Sequence, residues 1–165
     1  MAKFETKKYD AIIKELVADS FPILKDKKIK IKKVLFPRFY KYSAYAFMDD
    51  GLFWLFRKKF YILVNPKYMK RYNDFEIKGV FAHELCHLED FARNSRWWFF
   101  LNNLKYTFEN YRERYEKEAD KKAICKGYRK ELKSFREKRW SIKDKNLEKM
   151  KGFYLTPKEI DKVIC

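Results

Sequence analysis

A chain of 165 residues is sized for one domain around one buried core. Its 40 Lys and Arg against 23 Asp and Glu give a formal charge of +17, spread along the whole sequence, which favours contact with acidic surfaces, nucleic acid or anionic lipid without selecting among them. Three cysteines form an odd set without framework spacing, there is no leader-like apolar core, and no apolar run approaches the roughly 20 residues a bilayer requires, so neither a disulfide scaffold nor a membrane span is expected, and a soluble, cytoplasmic protein is.

In chain order, Ile12, Ile13, Leu16 and Val17 recur at helical spacing between Tyr9 and Ala18 and predict a first helix that ends before Pro22. The period then changes. Lys28 to Phe36 alternates apolar and basic residues as an exposed strand does, with Pro37 closing it. Tyr42 to Met48 reads as a second strand, Asp49-Asp50-Gly51 as a turn, and the run from Leu52 to Phe56 and that from Phe60 to Val64 as its continuation, broken at Asn65-Pro66. From about Phe75 the pattern is helical. Ile77, Phe81, Leu85, Leu88 and Ala92 share one stripe, and His83 and His87 lie together on a nearly opposite side. A second helix is expected from about Leu101 to Leu132, with Leu104, Phe108, Tyr111 and Tyr115 on one stripe and Glu116, Ala119, Asp120, Ala123 and Gly127 beside it. A basic segment follows from 133 to 165. Within it, Thr156-Pro157-Lys158-Glu159 predicts a capped terminal helix.

His83 and His87 are the two histidines of the chain, four residues apart, with Glu84 directly after the first. A helix turns about 3.6 residues, so the two imidazoles project from successive turns of one face and can reach one ion, for which zinc is the best match. Glu84 is too constrained to ligate as well, but stands where it can take a proton from water on the metal. A catalytic zinc needs a third protein ligand and an open position, and with no third histidine a glutamate, aspartate or cysteine must serve. Glu116 and Asp120, four apart on one helical face, fit that need: Glu116 as ligand, Asp120 as acceptor of the other ring N–H of a ligating histidine. The competing reading of these two is a solvated face balanced by Lys117, Lys121 and Lys122.

His-Glu-x-x-His followed by Glu-x-x-Ala-Asp resembles the gluzincin metallopeptidases. The likeness is greatest to the branch that holds integral-membrane prenyl-protein proteases, bacterial stress proteases and their small soluble relatives, the minigluzincins. It runs from about Ala44 to Gly127 and includes Ser43 to Phe47, similar to a strand that lies along substrate in that branch, with serine where asparagine is usual, and Cys86 where glycine is usual. The resemblance implies an α+β, zincin-like domain whose small, twisted, mainly antiparallel sheet accompanies an N-terminal helix, an active-site helix and a glutamate helix. It further implies zinc on His83, His87 and Glu116, Glu84 as general base, Asp120 orienting a histidine, and Ala44, Tyr45, Ala46 and Phe47 as the substrate edge strand. The expected substrate is a peptide or protein. The residue that stabilises the oxyanion stays open between Tyr128, Tyr154 and others. Minigluzincins include latent forms covered by their C-terminal segments; here residues after about Met150 would be that cover, with Cys165 as a latency ligand.

Trp97, Trp98, Phe99 and Phe100 join the two site helices, and read either as core or homodimer packing or as a peripheral membrane foot. Cys86 and Cys125 read as small buried apolar residues. A basic nucleic-acid-binding module and an inactive zinc-stabilised scaffold are the competing functional classes, although no specific nucleic-acid signature is present. Gln is absent, and Gly and Pro number four each; with abundant Lys and Glu this suits a thermophile surface ion network, which accounts for much of the charge.

Overall fold

The computed structural model describes residues 6–33, 44–49, 59–142, 148 and 151–165, and shows an α+β, mostly helical chain. The expected closure at Pro37, the turn through Asp50 and Gly51, the run from Leu52 to Phe56, and Ser43 all lie outside the described residues.

Helix α1 (Thr6–Ser20) buries Ile12, Ile13, Leu16 and Val17, the four residues whose spacing predicts it. A 3₁₀ turn at Pro22–Leu24 leads to strand β1 (Ile29–Lys33), which alternates exposed lysines with Ile31 turned into the core. Strands β2 (Ala44–Asp49) and β3 (Lys59–Val64) complete a sheet of order β1-β3-β2. Here β3 runs parallel to β1, with Ile29 opposite Phe60, and antiparallel to β2, with Ala44 opposite Val64. The sheet is therefore mixed, and the expectation of a mainly antiparallel one holds for the β2–β3 pair alone. As the central strand, β3 is covered on both faces, which is why its sequence is an unbroken apolar run instead of an alternating one.

Asn65 caps a short helix α2 (Pro66–Met69), accepting from the Lys67 N–H at 3.1 Å, with Pro66 at the first helical position. Helix α3 (Asp74–Arg93) starts at a reciprocal capping box between Asn73 and Glu76. It packs on α1, on β2 and on two later helices, so its apolar stripe and its histidine side are both buried.

The single helix expected from Leu101 to Leu132 is three. Helix α4 (Arg96–Lys105) ends where the Thr107 hydroxyl takes the Leu104 carbonyl at 2.7 Å, competing with the helical ladder. Helix α5 (Glu109–Ala123) runs into a bend at Ile124–Tyr128, where Gly127 adopts φ 101°, a left-handed conformation that favours glycine. Helix α6 (Arg129–Ser141) then returns across α3. The break also takes Leu104 and Phe108 off the single stripe expected with Tyr111 and Tyr115; both are exposed.

The boundary expected at residue 132 falls inside α6, where Leu132 and Phe135 enter the core. The terminal helix α7 (Pro157–Lys162) has the predicted Thr156–Glu159 capping box and buries Ile160. Arg129 holds this end, donating to the carbonyls of Ile160 and, at 2.6 Å, Val163. A disulfide joins Cys125 to Cys165 across 40 residues of sequence, against the expectation from the cysteine count. Cys125 is therefore an exposed crosslink and not a buried apolar residue. Cys86 is the free, buried thiol.

Helices α3 and α6 meet at Gly79, where a Cβ would stand 2.6 Å from the Glu131 and Leu132 backbone. Neither backbone can retreat without moving a whole helix. Gly79→Ala is expected to lose about 2 kcal/mol net of alanine's better helix propensity, a fall of about 4–8 °C in the melting midpoint by calorimetry.

Candidate metal centre

His83 and His87 stand on successive turns of α3, and Glu116 faces them from α5, all three buried. His83 Nε2 and His87 Nε2 are 3.2 Å apart. Glu116 Oε2 lies 2.9 Å from the first and 3.4 Å from the second. Ligand atoms about 2.0–2.1 Å from a tetrahedral ion stand about 3.3 Å from one another, so these separations are compatible with one ion held by all three atoms. His83, His87 and Glu116 thus form a group able to hold a metal ion, with one donor atom from each residue directed inward.

The surrounding shell orients the donors. His83 Nδ1–H donates to Asp120 Oδ1 at 2.7 Å, which aims Nε2 at the centre. Asp120 also receives Arg136 Nη2 at 2.6 Å and the Leu155 N–H at 2.9 Å. Tyr106, just past the end of α4, donates its hydroxyl to Glu116 Oε1 and leaves Oε2 for the centre. Glu84 accepts the Ala46 N–H from β2 at 2.6 Å. Tyr115 lies along the His87 ring with centroids 4.9 Å apart, and Tyr154 meets the His83 ring edge-on at 5.7 Å. Glu84, His87, Asn102, Tyr106 and Tyr154 line the narrow cleft that opens onto this centre.

Charge placement follows from burial and neighbours. Burial alone would lower the His83 pKa, but Asp120 and Glu116 more than reverse this and hold it up at about 10. Burial likewise opposes ionisation of Glu116, yet His87 and His83 keep its carboxyl well below the usual range. Asp120 is also lowered against the effect of burial, by Arg136 first and His83 next. Glu84 is the exception: burial dominates and pushes its carboxyl up, only partly offset by the histidines and the Ala46 N–H.

Residues 83, 84, 87, 116 and 120 are thus brought together by the fold, and β2 places Ala46 in the cleft wall, its N–H on Glu84, while Ala44 is a buried core residue. Cys165 is not at the centre; its sulfur is bonded to Cys125, so it offers no thiolate there. Trp98 and Phe99 pack against the core, whereas Trp97 and Phe100 face solvent. Tyr106 and Arg136 escaped the sequence reading. For Arg136 a signal existed: it shares the buried face of α6 with Leu132 and Phe135, where an unpaired cation would be costly.

Both His83 nitrogens face carboxylates, so the metal-free protein holds it as imidazolium. That contribution to stability is complete below the unfolded value of 6.5 and is lost as pH rises through about 10. A metal on Nε2 must displace the proton. Apparent zinc affinity is therefore expected to rise about tenfold per pH unit from neutrality towards that value, with proton release by calorimetry in buffers of different ionisation enthalpy, and to fall steeply in Glu116→Ala.

Among known proteins, no family model, no curated protein and no solved structure matches this chain, so its function has to be argued from the chemistry of the centre itself.

Proposed function

We propose that this chain is a zinc metallopeptidase of gluzincin type, zincin-like in its site architecture and closest in plan to the minigluzincins. The observation that carries the reading is the meeting of His83 Nε2, His87 Nε2 and Glu116 Oε2 at tetrahedral spacing, with a raised buried carboxyl, Glu84, beside them. Bound there, zinc would supply Lewis acidity towards a scissile carbonyl and acidify a water.

The chain's own residues do the rest. Glu84 Oε2 is engaged by the Ala46 N–H, which leaves Oε1 to take a proton from water and return it to the leaving amine. Burial raises the Glu84 pKa, which makes its carboxylate a stronger base than one in water. Asp120 keeps His83 in the required tautomer, and Tyr106 keeps Glu116 to a single inward oxygen. Strand β2 pairs with β3 along one edge; away from β3 its Ala46 N–H is directed into the cleft, to Glu84. An extended peptide adding there would be held by its main chain beside Glu84.

Zinc-loaded wild type is expected to hydrolyse unfolded protein substrates, and Glu84→Gln to lose about a thousandfold in kcat while retaining its zinc by mass spectrometry. Zinc in both proteins with no hydrolysis by wild type would leave a metal-stabilised scaffold instead.

A latent form is supported by one contact: the C-terminal segment sets Tyr154 against the His83 ring and into the cleft wall. Leu155 and Ile160 are core residues, so this cover is built into the fold rather than laid over it. Tyr154→Ala is expected to raise peptide hydrolysis several-fold at unchanged zinc content; an unchanged or lower rate would remove latency.

A further inference from the structure

Helix α4 presents the largest apolar surface the described residues leave in water. Trp97, Phe100, Leu101 and Leu104 are 63%, 54%, 50% and 51% exposed, and Phe108, just beyond the helix, is 69% exposed. On a helix advancing about 100° per residue, the first four fall within an arc of about 100°. The inward side is taken by Trp98, Phe99, Asn102 and, past the last turn, Tyr106, which fasten the helix to the core and to the metal centre. Trp97 and Phe100 meet edge to face at 6.3 Å, one aromatic ridge along the outer side.

Charge decides what such a face meets. Arg96 and Lys105 flank the apolar arc on its two sides, and the helix carries no carboxylate. Long cationic side chains at the borders of an apolar stripe are placed to lie along it and reach outward, as at a membrane interface. A second copy of the chain fits less well. Two bodies of charge +17 repel, and a face one helix of 10 residues long falls short of the roughly 800 Å² per partner of a stable interface. No helix among the described residues is long and apolar enough to cross a membrane, so the contact is with a surface.

We propose that α4 is an interfacial anchor that seats the protein on an anionic bilayer, Trp97, Phe100, Leu101 and Leu104 entering the headgroup boundary and Arg96 and Lys105 meeting lipid phosphates. Since Asn102 and Tyr106 line the cleft from the inner side of this region, seating it sets the cleft mouth about one helix diameter from the lipid surface. The proposal does not rest on peptidase chemistry.

The test is co-sedimentation of the full chain with vesicles of phosphatidylcholine alone and of phosphatidylcholine mixed with phosphatidylglycerol. Wild type is expected to bind the anionic vesicles at least about tenfold more tightly than the neutral ones, with tryptophan emission shifted to the blue and quenched by brominated lipid. The triple variant Trp97→Ser, Phe100→Ser, Leu104→Ser, all at positions more than half exposed, is expected to lose about tenfold or more while keeping its circular dichroism and zinc content. Glu84→Gln should bind vesicles as wild type does, whatever becomes of hydrolysis. Full binding by the triple variant would reduce the effect to generic electrostatics and overturn the anchor. So would absence of binding at low salt, or a lipid-free dimer by sedimentation velocity that the serine substitutions dissociate.

Discussion

Asp120 is fully buried and carries a charge, and the arrangement around it follows from that fact. A carboxylate taken out of water must be compensated, and here three donors do it: His83 Nδ1–H from α3, Arg136 from α6 and the Leu155 N–H from the C-terminal segment. Arg136 is itself buried, so the dependence is mutual; withdrawing either partner strands the other at a cost of about 3–5 kcal/mol. Four parts of the chain are thereby tied to one side chain. The hydrogen bond that aims His83 at the metal position is the same one that locates the end of the chain. Site and core are one assembly, and residues beyond 132 belong to both.

The parts of the site that are local in sequence are the parts that could be read from it. Four-residue spacing put His83 with His87 and Glu116 with Asp120 on single helical faces, and Glu84 followed from its place between the histidines. The Thr156–Glu159 box was equally local. What could not be read is what depends on one element choosing another. The Tyr106 hydroxyl reaches Glu116 because α4 and α5 break apart at Thr107, a competition between hydroxyl and backbone that helical periodicity does not register. The parallel pairing of β1 with β3 depends on the path of the intervening chain, and the partner of Cys165 on the bend at Gly127 that turns α6 back. Cysteine arithmetic counts thiols and cannot see which two the fold sets side by side.

The candidate metal centre is an acidic pocket in a strongly basic body. Glu84, Glu116 and Asp120 are all buried within a few ångströms of two imidazoles, while the net charge outside is +17. At physiological ionic strength surface charge is screened over about 8 Å, so an ion inside the cleft responds chiefly to these carboxylates. By the same screening, a strongly cationic exterior is compatible with a buried pocket whose carboxylates favour a cation.

Among the described residues, the two outer strands of the sheet are protected by different means. Strand β1 points Lys30 and Lys32 into solvent, the charged edge by which sheets discourage pairing with a stranger. Strand β2 has no such side chains at Ala44 and Ala46; its outward Ala46 N–H is instead stoppered by the Glu84 carboxylate inside a cleft. An open strand edge is what aggregation requires and also what recognition of an extended peptide requires. Recessing that edge and engaging its donor keep the strand from the rigid rim of another folded copy, an arrangement that needs no charged side chain on the strand itself.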